Sequence, residues 1–201
     1  MVIACVVEGH GERESVPILV RRVAALVDPG LPVSVATPIR QPKSRLLKPG
    51  ELERAVDLAA RNAGRSGAVL VLVDGDDDCP AEHGPALLMR AVSARNDVAV
   101  SVVLAKRELE SWFLAAAESL RGHRGLPADL QAPPNPEGIA GAKEWLSRHM
   151  ESGAYSPTLD QPALAATMDL ALARRADSFD KCYREIVRLI EAGRALANGV
   201  R

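Results

Sequence analysis

The run AVLVLVDGDDD, Ala68 to Asp78, joins six consecutive apolar residues to a turn crowded with acids. Its apolar part is too short for an ordinary helix and rich in valine, which reads as a strand buried on both faces. On its N-terminal side, Glu51 to Ala63 is a helix introduced by Pro49-Gly50, and VSVAT (Val33 to Thr37) is a strand. Before that, Arg13 to Val27 carries Val16, Leu19, Val20, Val23, Ala24 and Val27 at helical spacing, with Pro17 in the first turns, where proline is tolerated. VIACVV (Val2 to Val7) opens the chain as another buried strand; it is too short, and lacks the basic flank, for a signal peptide. On the C-terminal side, a helix from about Pro85 to Ala94 leads to the strand VAVSVVLA (Val98 to Ala105), and a further helix starts near Glu108. Apolar strands alternating with helices predict an α/β fold: a parallel sheet of about four strands flanked by helices. Residues 1–120 form this core. Leu120 to Ala140 is a long Pro- and Gly-rich connection, and Ala142 to Met150, Pro162 to Ala173 and Phe179 to Ala197 are helices of a C-terminal extension, 121–201, packed on the core.

The chain has 201 residues, 47% hydrophobic and 25% charged, with a net charge of −1, which fits one globular domain with an aliphatic core. No run reaches the roughly 18 apolar residues of a membrane span. Cys5, Cys79 and Cys182 are sparse and unpaired in spacing, which argues for a reducing, cytoplasmic setting.

In an open parallel sheet, ligands bind beyond the carboxyl ends of the strands. The first strand runs into Glu8-Gly9-His10-Gly11-Glu12, the third into Asp74-Gly75-Asp76-Asp77-Asp78, and the fourth into Lys106-Arg107-Glu108-Leu109-Glu110. Taken singly, DGDDD is explained by a solvated turn, and Glu12, Glu108 and Glu110 by the dipole of a helix start. Three acid groups at corresponding strand ends point to a divalent cation, Mg²⁺ or Mn²⁺, because crowded carboxylates repel unless a cation compensates. On this reading Asp76 also sits among like charges, so that removing its charge leaves the metal-free protein no less stable. The spacing of an EF-hand fails at Cys79 and Pro85, a dinucleotide-binding glycine pattern fails at Glu14, and no phosphate-binding P-loop is present. His10 is open to either a site role or an exposed loop. Arg40, Lys43, Arg45 and Lys48 lie in a loop without acids after the second strand, a basic rim suited to a nucleic-acid backbone or a solvated charge run. Lys106 could similarly touch a phosphate. Trp112-Phe113 reads as core packing rather than base stacking.

The pattern VEGxxE after the first strand, DxDxD after the third and KxELESWFLAA after the fourth resembles the Toprim-like proteins of domain-of-unknown-function family 4276. The likeness continues through Lys143, Tyr155, Asp160-Gln161-Pro162, Met168-Asp169-Leu170 and the stretch from Arg174 to Phe179. It implies a Toprim-like core, as in topoisomerases, primases and overcoming-lysogenization-defect nucleases. Carried over, Glu8 is the general acid/base or a metal ligand, Asp74 and Asp76 hold Mg²⁺, and Glu12, Asp78 and Glu110 are further candidate ligands. Glu8 and Lys106 are then the candidate catalytic residues of a metal-dependent nuclease, or a related phosphoryl-transfer enzyme, acting on nucleic acid. The resemblance further suggests bacterial defence against phage or plasmids and an ATPase partner; a homodimer is a separate expectation. The alternative is a catalytically idle Toprim-like module whose helical extension binds a partner protein.

Overall fold

The protein is described here by a computed structural model covering residues 1–199, with side chains through residue 195; the last two residues of the expected extension lie outside the described residues. Five parallel strands form one sheet: β1 (Val2–Val7), β2 (Ser34–Val35), β3 (Ile39–Arg40), β4 (Ala68–Asp74) and β5 (Ala99–Ala105). Their order is β2-β1-β4-β5, with β3 pairing β1 beyond β2. The strand expected over Val33 to Thr37 is thus shortened to Ser34–Val35, and a second short ladder forms beyond it at Ile39–Arg40, reaching into the expected basic loop. Pro38 separates them: proline offers no N–H to a ladder and restricts the residue before it.

Side chains alternate across the sheet. Ile3, Cys5 and Val7 of β1, with Ala68, Leu70 and Leu72 of β4, face one apolar cluster. Ala4, Val6, Val69, Val71 and Val73 face the other. Helices α3 (Glu51–Ala63) and α4 (Pro80–Ala94) cover the second face, α3 through a strip of small residues that includes Ala55, Ala59, Ala60 and Ala63. Helix α1 (Glu12–Val27) covers the first face, together with α9 (Asp177–Gly199) from the extension. Between α1 and α3 the basic segment is not wholly loop, since Lys43–Leu46 forms a short helix, α2. Helix α4 starts at Pro80 rather than Pro85, with proline in its first turn, where no N–H is needed.

After β5 come α5 (Ser111–Ala115), α6 (Ala142–His149), α7 (Asp160–Thr167) and α8 (Leu170–Ala173). The helix expected from Pro162 to Ala173 is broken at Met168, because Asp169 Oδ1 accepts from the N–H groups of Ala171 (2.7 Å) and Leu172 (3.0 Å) and caps a new start. Leu126 and Leu130 anchor the long connection in the same cluster that holds β1 and α9. Among the described residues no helix is long and apolar enough to cross a membrane.

Helix α9 is pinned to the edge strand β5 by a polar knot. Buried Ser101 donates to Glu185 Oε2 at 2.7 Å, and Arg188 donates to Val100 O and to Ser101 Oγ at 2.6 and 2.7 Å. Burial alone would raise the Glu185 carboxyl, but Arg188, Ser101 and Lys181 outweigh it and bring it down to about 2. A depressed carboxyl contributes stability above its unfolded value and loses it as pH falls through the folded one. Glu185→Gln is therefore expected to cost about 1–3 kcal/mol at pH 7. The deficit should close as pH falls from the ordinary 4.5 towards 2. Urea unfolding across that range measures it; a deficit constant down to pH 2.5 would refute the assignment.

Candidate functional site

The carboxyl ends of β1, β4 and β5 meet at one edge of the sheet, as parallel pairing requires: Ile3 to Val7 pair with Ala68 to Leu72, and Ala68 to Asp74 with Ala99 to Ala105. Immediately past β1, Glu8 is half-buried and its Oε2 is buried without a hydrogen-bond partner. The chain turns through Gly9 to Gly11 into α1, whose first residue, Glu12, is buried and accepts the Gly9 N–H. Gly11 is required here, because a β-carbon would stand 2.5 Å from Gln161 Oε1 and 2.6 Å from Pro157 O. Asp74 ends β4 and accepts the Leu109 N–H on Oδ1 at 2.8 Å. Glu110, on the turn between β5 and α5, is wholly buried.

Residues far along the chain complete this cluster. Tyr155 Oη and Gln161 Nε2 both donate to Glu110 Oε1 at 3.1 Å, and Gln161 Oε1 in turn accepts from Ser15 Oγ at 2.8 Å. Asp160 secures the approach to α7 by accepting from Arg124 and from the Ser156 N–H. Lys143, in the first turn of α6, places Nζ 3.3 Å from Glu110 Oε2, 3.6 Å from Glu108 Oε2 and 4.0 Å from Asp74 Oδ2.

The charges are under strain. Burial raises Asp74 well above the ordinary aspartate value, and Glu12 and Glu110 push it further. Burial likewise raises Glu12 despite the Gly9 hydrogen bond, with Glu110 and Glu8 adding repulsion. Burial alone would lower Lys143, but Glu110, Asp74 and Glu108 outweigh it and hold the ammonium above the ordinary lysine value. Burial, then Glu110, keeps the Tyr155 phenol protonated, so that its O–H is there to donate to Glu110.

Asp76 and Asp78 belong to a second, more exposed cluster. Asp76 takes a left-handed conformation (φ 51°) and its side chain is 66% exposed. Lys43 holds both acids, with Nζ 2.9 Å from Asp76 Oδ2, 3.0 Å from Asp78 Oδ2 and 2.7 Å from Gly75 O. The expectation that Asp76 suffers like-charge crowding is thus corrected: it has a cation partner, and the crowded aspartate is Asp74. Lys43 is likewise corrected from the free basic rim, since its side chain is only 10% exposed and is turned onto the acid turn. Arg40, Arg45 and Lys48 are exposed, with Arg45 paired to Glu51. Lys106 and His10 are exposed as well. Lys106 lines a cavity of about 450 Å³ between α4 and α9, whose lining does not include Lys143 or the acids around it.

The two clusters respond oppositely to charge removal. In metal-free protein, Asp74→Asn is expected to raise the melting temperature by a few degrees or leave it unchanged, whereas Asp76→Asn loses its Lys43 ion pair and lowers it slightly. Differential scanning calorimetry with a chelator decides this; the reverse order would place the repulsion at Asp76.

Among the described residues no three acid, histidine or cysteine side chains stand ready-made as a metal cage. The donors nonetheless suit a hard cation: they are all carboxylate oxygens, and Glu8 Oε2 and Glu110 Oε2 are buried without hydrogen-bond partners. Lys143, Tyr155 and Gln161 were not singled out as site residues from sequence, although each falls in a stretch that carries the family likeness. Comparison with curated proteins and with solved structures finds no match. The model of one family, described as a domain of unknown function (DUF4276), matches residues 7–186, a span that holds every side chain of both clusters. The chain belongs to that family.

Proposed function

We propose that the protein is a Mg²⁺- or Mn²⁺-dependent nuclease, or a related phosphoryl-transfer enzyme, with a Toprim-like core and its centre at Glu8, Glu12, Asp74 and Glu110. One observation carries the reading: four carboxylates gather at the carboxyl edge of a parallel sheet, and two of them keep a buried oxygen with no hydrogen bond. Such a charge excess is costly unless something of opposite sign joins it. A divalent ion bound there would polarise a phosphodiester and lower the pKa of a nearby water.

The chain's own groups have distinct tasks. Tyr155 and Gln161 fix Glu110 Oε1 and leave Oε2 facing the cluster, while the Leu109 and Gly9 N–H groups orient Asp74 and Glu12. Among the described residues, Glu8 Oε2 accepts no hydrogen bond and has no lysine beside it, which suits it to take a proton from water. Arg40, Lys48 and Lys106 are exposed cations along the same edge, available to phosphates. The Toprim likeness supports nucleic acid as substrate, and with it a defence role and an ATPase partner.

A specific observation favours the other reading, an idle partner-binding module: Lys143 already neutralises part of the cluster. The test is a panel of labelled single- and double-stranded DNA and RNA, with Mg²⁺, Mn²⁺ or chelator, with and without a neighbouring ATPase. Cleavage that needs the ion and is lost in Asp74→Asn supports the enzyme. A wild type inert across the panel supports the module.

A further inference from the structure

Two lysines meet acids at the carboxyl edge of the sheet, and they meet them differently. Lys43 makes three contacts of 2.7–3.0 Å, the lengths of closed charge-assisted hydrogen bonds. Lys143 stands 3.3, 3.6 and 4.0 Å from Glu110, Glu108 and Asp74, longer than such a bond in every case and closed onto none of them. Its side chain is 35% exposed, so a path to solvent is open. Its stem rises from the second residue of α6, whose backbone N–H lies 3.4 Å from Glu108 Oε2. A small cation central to several carboxylate oxygens, at loose distances and with an exit, takes the place of a counter-ion rather than of a structural clamp. The oxygens it faces include Glu110 Oε2, which is buried and has no hydrogen bond.

We propose that Lys143 is a built-in counter-ion of the carboxylate cluster, seated there in the metal-free protein and displaced into solvent when a divalent cation enters. This rests on the metal reading given above and adds to it a regulatory step: the site resists metal until the ion outcompetes the ammonium.

Three measurements on the full chain test it. In titration calorimetry with Mn²⁺ alone, Lys143→Met and Lys143→Gln are expected to bind about tenfold tighter than wild type or more, within the usual 5- to 150-fold range of coupling between two ligands. Lys143→Arg, which keeps the charge, should bind no tighter. Without metal, both neutral variants should melt below wild type, and saturating Mn²⁺ should raise their midpoints more than that of wild type. Lys143→Gln retains a polar head for Glu110 and so stands in if Lys143→Met does not fold. In wild type, acetic anhydride labelling of Lys143, read by peptide mass spectrometry with Lys43 as the internal reference, should rise several-fold in saturating Mn²⁺. Neutral variants that bind Mn²⁺ no tighter than wild type, or labelling that stays flat, would overturn the displacement and leave the metal site standing. Absence of Mn²⁺ binding in wild type and variants alike would remove the metal reading and this inference together.

Discussion

If the proposed metal-dependent cleavage is the protein's activity, Glu8→Gln is expected to lower it by about 10²–10⁴-fold, the usual worth of a positioned acid/base group, with the fold intact. The substitution keeps the shape of the side chain and removes its capacity to take a proton. Because Glu8 Oε2 has no hydrogen bond, replacing it with an amide nitrogen breaks none. It also removes one of the like charges that raise Glu12, so metal-free stability should hold or rise slightly. The readout is the single-turnover cleavage rate on whichever substrate of the panel wild type cuts, beside the urea midpoint. A variant that cuts at the wild-type rate would remove Glu8 from the chemistry. A variant that loses activity and stability together would make Glu8 a structural residue instead.

Strands and helices were readable wherever one period dominated. Val69, Val71 and Val73 alternate with Leu70 and Leu72 across β4, and Leu52, Val56, Ala59 and Ala63 recur along α3, so both elements stood close to their observed bounds. The second strand failed because Pro38 acts through a hydrogen bond it cannot make, which an apolar pattern does not register. The long connection from Leu120 was opaque for another reason: Leu126 and Leu130 are buried by tertiary contact, without any local repeat.

The site divided along the same line. Glu8, Asp74 and Glu110 were legible because strand ends announce themselves. Asp74 and Asp76 looked equivalent, yet a left-handed residue at Asp76 and the bond from its N–H to Arg107 O (2.9 Å) turn the rest of the acid run outward to Lys43. Composition cannot tell a lysine facing solvent from one facing acids, which is why Lys43 was assigned to the rim and Lys143 to no role at all. Tyr155 and Gln161 reach Glu110 across 45 and 51 residues of chain, a distance over which only the fold, or a family pattern, gives a signal.

Trp112→Ala is expected to destabilise the protein by about 3–5 kcal/mol, the range for deleting a fully buried aromatic side chain. Trp112 is wholly buried in α5, two residues past Glu110, and meets Phe179 edge to face with ring centroids 5.1 Å apart. Its Nε1–H donates to Ser178 Oγ at 2.8 Å, and the same oxygen accepts the Lys106 N–H at 3.0 Å, while Glu137 accepts the Ser178 N–H at 2.9 Å. One indole therefore joins the end of β5, the turn that carries Glu110, and the start of α9. Removing it leaves a cavity and takes one donor from Ser178, and the turn bearing Glu110 loses its packing support. Trp112→Phe separates the two contributions: it keeps most of the volume, loses the N–H, and should cost only about 1–3 kcal/mol. Urea unfolding of the three proteins gives both figures. If Trp112→Ala falls by less than about 1 kcal/mol, a surface-like change, the indole is not the joint between sheet and extension. If instead it falls as expected, metal affinity should weaken with it even at temperatures where the variant is fully folded, because Glu110 is held in place from the same turn.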